Sequence, residues 1–324
     1  MSAPSTNKTT EEPHSFLSHA SDFFYDLTDL KKGMDKEGTI IGIKNNKEMK
    51  GANAWLLMCS IFIASLGLDL NSPAVIIGAM LISPLMAPIL GIGLGIGIND
   101  RNTLLVSGKH LLIAIGIALF TSTVYFSVTH ALGIDGGFNG EIKGRTRPSI
   151  LDAMVALIGG FAGIISSSRK DKSNAIPGVA IATALMPPLC VTGYGISQWF
   201  GYLLGAEDFN PNYGGVIFSS FFLFILNATL VALATYSIVQ LMDFPSRAFA
   251  SEKEERQSKF ILYTTSVILL AVSLFTTYNI IVENRTRERI EKFSDKALRN
   301  LNVLECDVIR NLNNTFDVNI YLLR

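Results

Sequence analysis

Two prolines, Pro84 and Pro88, stand in the middle of a long apolar run. Each removes a backbone hydrogen bond there. Proline has no N–H, and its ring clashes with the carbonyl four residues earlier. In a helix, Pro84 therefore frees the carbonyl of Met80, and Pro88 frees that of Pro84. Because an unsatisfied polar group in hydrocarbon costs several kcal/mol, a hydroxyl, a neighbouring helix, water or an ion has to meet these carbonyls.

A later apolar run has the same arrangement. Pro187 frees the carbonyl of Thr183, and Pro188 frees that of Ala184. Ser83 aligns with Thr183, so a hydroxyl lies beside a freed carbonyl in both runs. One interpretation is a substrate or ion site at the middle of the membrane; the other is a pair of proline kinks that only shape a helix bundle. The residues of the proposed site are Ser83, Pro84, Pro88, Thr183, Ala184, Pro187 and Pro188.

Two further polar residues within apolar runs are candidates for the same site. His110 is either a proton-relay group or a packing residue, and Asn227 is expected to hydrogen-bond across helices. Asp152 stands near the start of its run, where we expect it at the membrane interface. The charge of a bound solute stays open, because freed carbonyls suit a cation whereas helix N-termini suit an anion.

The sequence contains no pattern typical of an enzyme. HExxH, GxSxG and paired carboxylates within the apolar runs are absent, and the three cysteines form no metal-binding pattern. We therefore predict no catalytic residues, no metal site and no cofactor. Lys+Arg and Asp+Glu are both 27, and this zero net charge argues against a nucleic-acid partner.

The proline-containing runs are two copies of one motif. Residues 78–96 (GAMLISPLMAPILGIGLGI) and 178–196 (GVAIATALMPPLCVTGYGI) are identical at seven of nineteen aligned positions. Glycines at alternate positions follow the prolines of the first copy, from Gly91 to Gly97. This spacing is typical of close helix packing, and the alternative is an unwound segment that lines a path.

Composition and run length predict an all-α polytopic integral membrane protein. Hydrophobic residues make up 49% and charged residues 17%, and the mean hydropathy is +0.36. About twenty apolar residues are needed for one span. The predicted spans are residues 54–70, 73–99, 103–131, 150–168, 174–204, 214–242 and 260–282.

The repeat divides these spans into two units of three. The units are 54–131 and 150–242, with 260–282 as an extra helix. Three spans per unit is an odd number, so the units enter the membrane from opposite sides, which gives an inverted 3+3 repeat with broken helices 2 and 5. Residues 51–284 then form the transmembrane domain.

Positive charge predicts the orientation of the spans. Lys and Arg are concentrated in residues 31–50, 100–102, 169–173 and 243–259. On the other side, 70–72 and 205–213 have none, and 132–149 has three: Lys143, Arg145 and Arg147. The positive-inside rule therefore places the N-terminus in the cytoplasm, and we expect a bacterial inner membrane.

The two ends of the chain read as small soluble segments. Within residues 1–50, residues 13–32 have the spacing of a helix that lies on the membrane or packs against the spans. Within residues 285–324, residues 285–300 are helical in pattern and VNIYLL at 318–323 reads as a strand. A single strand is not stable alone, so we expect a C-terminal domain that has been cut short.

The two motifs together resemble a known family. GAMLISPLMAPILGIGLGIGIND at 78–100, followed by IATALMPPLCVTGYGI at 181–196, is similar to the uncharacterised prokaryotic family catalogued as domain of unknown function 389. The resemblance covers roughly residues 50–285. It implies an integral membrane protein and brings no established activity.

Two hypotheses for the function follow from the residues. The first is a transporter or channel for a small polar solute or ion, with its site at the prolines of helices 2 and 5. The second is a non-transporting scaffold or sensor that oligomerises and presents its soluble ends. In both cases the lipid bilayer is a partner, and small residues at helix interfaces favour a homo-oligomer.

Overall fold

A computed structural model describes residues 33–146, 149–169, 175–205 and 214–246, scattered positions between 256 and 293, and two strands near the C-terminus. In residues 175–183 and in the strands only the backbone is described. The predicted helix over 13–32 lies outside the described residues. The helices are α1 Lys36–Asn46, α2 Ala52–Asp69, α3 Pro73–Ile82, α4 Met86–Gly97, α5 Arg101–Ala131, α6 Gly140–Gly144, α7 Ile150–Ser167, α8 Ala175–Leu203 and α9 Gly214–Leu241.

Three of these helices, α2, α5 and α9, are long and apolar enough to cross a membrane. The pair α3 and α4 counts as a fourth if the bent pair is one span. In the predicted seventh span, 260–282, every described position is helical. This part of the prediction is confirmed: the fold is helical, with apolar helices that point to an integral membrane location.

Local sequence signals set where the helices begin. The side chain of Asp100 accepts from the N–H of Thr103 at the start of α5. Ser149 and Asp152 form a reciprocal capping box at the start of α7. Pro73 occupies the first turn of α3, where its missing N–H has no helical partner to lose.

The second span is broken, as the prolines predict. Helix α3 ends at Ile82, α4 begins at Met86, and the two helices are bent by 56°. Ser83 is extended, with φ −71° and ψ 122°. The cause is Pro84, because the ring of a proline drives the preceding residue out of the helical region.

The fifth span is not broken, and this corrects the prediction. Helix α8 continues through Pro187 and Pro188 from Ala175 to Leu203. A proline inside a helix is tolerated where a neighbouring helix satisfies the freed carbonyl. Here that neighbour is α9, whose Asn227 donates to the carbonyl of Ala184.

Helices α2 to α5 form a first half of the bundle, and α7 to α9 form a second half. The α1 end of the bundle contains α1 and the C-terminal ends of α4, α7 and α9. The bonds there are Lys44 to Asp100, Asp35 N–H to the Ser168 carbonyl, Lys36 Nζ to the Asp243 carbonyl and Gln240 Nε2 to the Gly97 carbonyl. Segments expected to share one side of the membrane therefore meet at one end.

The opposite end, called the α6 end, contains α6, the α2–α3 turn and the start of α7. Asp69 in the turn accepts from Tyr125 Oη at 3.0 Å and from the N–H of Gly136 at 2.6 Å. Asn139 donates to the carbonyl of Leu68 at 2.6 Å. Hydrogen bonds thus hold the segment that precedes α7 against the turn between α2 and α3.

Aligned glycines of the two motif copies bring helices from opposite halves into contact. A Cβ on Gly93 of α4 would lie 2.6 Å from Cβ of Thr235 in α9. One on Gly193 of α8 would lie 2.7 Å from Cβ of Ser122 in α5. Real Cβ atoms do not approach so closely, so only glycine permits these crossings.

The next aligned glycines make contacts within their own half. A Cβ on Gly95 would lie 2.7 Å from the backbone nitrogen of Leu104, near the start of α5. One on Gly195 would lie 2.7 Å from Cγ1 of Ile217, near the start of α9. Because α4 is helical as far as Gly97, the packing interpretation of these glycines is confirmed.

The C-terminal region contains a β-hairpin. Strand β1 (Val303–Arg310) pairs antiparallel with β2 (Phe316–Leu322). The predicted strand at 318–323 is therefore confirmed to within two residues at its start. Its partner β1 is a strand that the sequence pattern did not reveal.

The glycine crossings predict a sharp contrast between two Gly→Ala substitutions. Gly193→Ala should lower the free energy of unfolding by about 1–3 kcal/mol, because the new methyl group overlaps Ser122. Gly116→Ala in α5 meets nothing within 4 Å, so it should be neutral or stabilising by up to about 1 kcal/mol. Thermal unfolding of both variants in detergent tests this, and equal melting temperatures would refute the tight crossing.

Candidate functional site

A cavity of about 240 Å³ lies between α7, α8 and α9. Pro188 and Asn227 stand near the middle of their helices, whereas Arg145 and Asp152 stand at the α6 end. Val155 at the rim is 51% exposed. The cavity therefore reaches from the α6 end to the middle of the bundle. Its lining residues are Arg145, Asp152, Val155, Ala184, Pro188, Leu223 and Asn227.

The inner end of the cavity carries one amide, that of Asn227, which is 1% exposed. Its Nδ2 donates to the carbonyl of Ala184 at 2.6 Å, which is the carbonyl that Pro188 leaves without a helical partner. Its Oδ1 is buried and has no hydrogen-bond partner within the described residues. An acceptor left in this state costs about 1–3 kcal/mol, which a ligand or water in the cavity would relieve.

The outer end of the cavity carries two opposite charges. Oδ2 of Asp152 accepts from the N–H of Ser149 at 3.0 Å and from its hydroxyl at 2.7 Å. Arg145 Nη2 lies 3.6 Å from a carboxylate oxygen of Glu141, and its Nε is buried without a hydrogen-bond partner in the described part of the chain. Among the described residues, Ser149 holds the Asp152 carboxylate and Glu141 lies beside the Arg145 guanidinium.

Three of the predicted site residues line this cavity: Ala184, Pro188 and Asn227. Pro187 is buried beside Pro188 and does not line the cavity, and the side chain of Thr183 lies outside the described residues. Sequence reasoning missed Arg145 and Asp152 as members of the site. The sequence shows that Arg145 precedes the predicted span 150–168 and that Asp152 lies near its start. It does not show the packing of α7 against α8 and α9, which brings both residues to the cavity.

The residues predicted from the first motif copy lie elsewhere. Ser83 and Pro84 stand at the bend between α3 and α4, and Pro88 is buried in α4. The backbone meets both freed carbonyls there: Ser83 N–H donates to Met80 and Ala87 N–H donates to Pro84, each at 3.3 Å. In the first copy the local backbone therefore meets the freed carbonyls, a partner that the sequence did not suggest.

His110 also lies apart from the cavity, towards the α1 end of α5. It is 4% exposed, and its Nδ1 accepts from the N–H of Met49 at 3.1 Å. Ser107, one turn earlier, has a buried hydroxyl without a hydrogen-bond partner in the described residues. Lys47 is also buried there, at 6% exposure. His110, Ser107 and Lys47 thus form a polar cluster beneath the α1–α2 connection. This cluster is separate from the cavity at Asn227.

Asp100 is a buried, charged residue at the α1 end. It is 4% exposed, and burial alone would raise its pKa. The Lys44 ammonium at 2.6 Å and the N–H and hydroxyl of Thr103 outweigh burial and lower the pKa to about 2. Burial lowers the pKa of Lys47, against the attraction of Asp100. The charged form of Asp100 is therefore part of the folded state.

Comparison with known proteins identifies the domain that holds the cavity. The model of a family described as Domain of unknown function (DUF389) matches residues 80–233. Residues 80–233 are therefore similar to this family. The resemblance drawn from the two motif copies is therefore confirmed, and all seven cavity residues lie within the matched range of the DUF389 domain.

An uncharacterized protein of Methanocaldococcus jannaschii is 30% identical to this chain over 230 residues. The alignment covers 71% of this chain and 65% of that protein, so the chain spans less than two thirds of this curated relative. No solved structure matches the chain.

The Asp100 ion pair predicts how the stability of the protein depends on pH. The folded pKa lies below the ordinary value of 3.8, so the stabilisation is complete above about pH 4 and is lost as the pH falls towards 2. Asp100→Asn should lower the free energy of unfolding at pH 7 by about 1–2 kcal/mol and flatten the acid loss.

Glu48→Gln is the matched control, because the Glu48–Lys50 pair is exposed on both sides and contributes little. Melting temperatures of the three proteins between pH 7 and about pH 2 provide the measurement. If Asp100→Asn and Glu48→Gln behave alike at pH 7, the ion pair does not have this role.

Proposed function

We propose that this protein is a membrane transporter or channel for a small polar solute or ion, and that the cavity between α7, α8 and α9 binds the solute. The observation that carries the proposal is the Oδ1 of Asn227, a buried acceptor at the inner end of a cavity, which has no hydrogen-bond partner among the described residues. A scaffold that only anchors soluble ends gains nothing from such a group.

Helix contacts support the inverted repeat that this proposal includes. Leu104 and Ile217 are 113 positions apart, and so are Ser122 and Thr235. These are the residues that meet the aligned glycines of the two motif copies. The third helices of the two halves therefore correspond residue by residue, and the glycine contacts recur in both.

The two halves also run in opposite directions. Helix α2 starts at the α1 end and finishes at the α6 end, whereas α7 starts at the α6 end and finishes at the α1 end. The axis that relates such halves lies in the membrane plane, an arrangement used by transporters whose sites lie near the midplane. Pro188 and Asn227 are at this depth.

The groups of the cavity indicate what a solute would offer. Asn227 Oδ1 accepts only, so the solute supplies a hydrogen-bond donor or a cation at the inner end. Arg145 and Asp152 at the outer end accommodate groups of either charge. A volume of about 240 Å³ suits a solute of a few heavy atoms rather than a drug-sized molecule.

We place the α1 end in the cytoplasm of a bacterial cell, with the cavity reached from the opposite side. The Lys and Arg residues of the connecting segments are concentrated at the α1 end. By the positive-inside rule, segments rich in Lys and Arg stay in the cytoplasm. A homo-oligomer remains a prediction from the small residues at the helix interfaces.

Asn227→Leu should abolish transport. The purified protein is reconstituted into liposomes and screened for flux of Na⁺, K⁺, acetate, phosphate, glycine and urea. For whichever probe moves, the leucine variant should lose at least about tenfold in initial rate, because the acceptor that binds the solute is gone. The matched control is Thr229→Val on the same helix, whose hydroxyl, within the described part of the chain, donates to the Ile225 carbonyl one turn earlier. Equal loss in both variants, or none in Asn227→Leu, contradicts the site.

Pro188→Ala should separate function from stability. The new N–H can donate to the Ala184 carbonyl and displace Asn227 Nδ2, which changes the inner end of the cavity. Because proline costs about 3 kcal/mol inside a helix, the melting temperature should stay level or rise while the flux falls. Pro73→Ala, in the first turn of α3, should change neither by much. Unchanged flux with a lower melting temperature would mean that Pro188 serves only packing.

A further inference from the structure

The cavity of the second half has a counterpart in the first half, and the correspondence between the helices identifies its residues. The third helices correspond with an offset of 113, so Leu223 and Asn227 match His110 and Ala114. The motif copies correspond with an offset of 100, so Pro188 matches Pro88.

The first helices extend the correspondence to the outer end of the cavity. Helices α2 and α7 are both 18 residues long and begin 98 positions apart. Val155 therefore matches Leu57, and Arg145 matches Lys47. Each of these two cations stands five residues before its helix. A cation thus lies at the outer end of both sites.

The two halves differ at the outer end of these positions. Val155 is 51% exposed and the side chain of Arg145 is 31% exposed, whereas their counterparts Leu57 and Lys47 are 0% and 6% exposed. The inner positions are buried in both halves, with Leu223 and Asn227 each 1% exposed, His110 4% and Ala114 0%. The outer end is therefore open in the second half and closed in the first.

Polar contacts of α1 and its connection to α2 close this second site. The N–H of Met49 donates to His110 Nδ1, and Lys44 pairs with Asp100 at 2.6 Å. Gln240 of the second half donates to the carbonyl of Gly97 of the first half at 3.2 Å. These hydrogen bonds lie beside packed apolar side chains, among them Ile96, Leu104 and Tyr236. Opening therefore has to separate both the hydrogen bonds and part of this packing.

We propose that the first half contains a second solute site, lined by Leu57, Pro88, His110 and Ala114, which opens towards the α1 end when the cavity at Asn227 closes. The connection from Lys47 to Met49 is its gate. This inference rests on the proposed transport function and specifies it: the protein is an alternating-access carrier, and the structure is the state open at the α6 end.

Thiol labelling tests the alternation without knowledge of the solute. The native cysteines Cys59, Cys190 and Cys306 are replaced by alanine, and a reporter is introduced as Leu223→Cys in the cavity or Ala114→Cys in the counterpart. The proteins are placed in lipid nanodiscs, where both faces are accessible, and the initial rate of reaction with a membrane-impermeant maleimide is measured.

The gate is then weakened by Lys44→Ala together with Gln240→Ala, which removes two of the closing bonds. Labelling at position 114 should rise about tenfold, and labelling at position 223 should fall. The matched control is Lys50→Ala with Ser237→Ala, because these side chains bond only to Glu48 and to the Leu233 carbonyl of their own region. It should change neither rate.

A bulky side chain at the cavity rim distinguishes opening of the gate from unfolding of the protein. Val155→Trp at the cavity rim should hold the cavity open, and it should therefore suppress the labelling at position 114 that the weakened gate produces. A second mutation would not refold a misfolded protein. Labelling that rises at both reporters, stays unchanged at position 114, or is unaffected by Val155→Trp overturns the inference.

The two proposals fail in different ways. Flux in liposomes with labelling that rises at both positions would leave the transport function intact and replace the carrier by a channel. Reciprocal labelling with no flux for any probe would retain the two alternating sites and remove the transport function.

Discussion

The carbonyl of Ala184 is the constraint on which the candidate site depends. Pro188 removes its helical partner at the middle of an apolar helix, where water is excluded and an unsatisfied carbonyl is costly. Asn227 of α9 supplies the missing donor at 2.6 Å. An amide has two ends, however, and the bond that satisfies the carbonyl leaves Oδ1 buried without a partner in the described residues. The amide that satisfies the freed carbonyl thus also presents the acceptor on which the proposed solute site rests.

Glycine determines how closely the helices around this group can approach. The crossing of α8 on α5 at Gly193 and the crossing of α4 on α9 at Gly93 both exclude a Cβ. Since α9 crosses α4 and also carries Asn227, the depth of the amide relative to the first half is fixed by the same contact. A change at a crossing therefore acts on the site even though none of these glycines lines the cavity.

Much of the fold could be predicted from the sequence, because run length, proline position and glycine spacing act locally. The bend at Pro84 and the strand at 318–323 are local consequences of this kind. The fifth span shows the limit of local reasoning: Pro187 and Pro188 predict a break, but Asn227, 39 positions later than Pro188, allows the helix to continue. Arg145 and Asp152 were missed for the same reason, since only the packing of α7 brings them to the cavity.

The most direct test of the account is an experimental structure of the protein in lipid, at a resolution that shows ordered solvent. We expect density for a solute, an ion or an ordered water within about 3 Å of Asn227 Oδ1. We also expect Nδ2 to remain bonded to the Ala184 carbonyl. A dry cavity, or an Oδ1 that accepts a hydrogen bond from another protein group, would contradict the claim that this amide binds the transported solute.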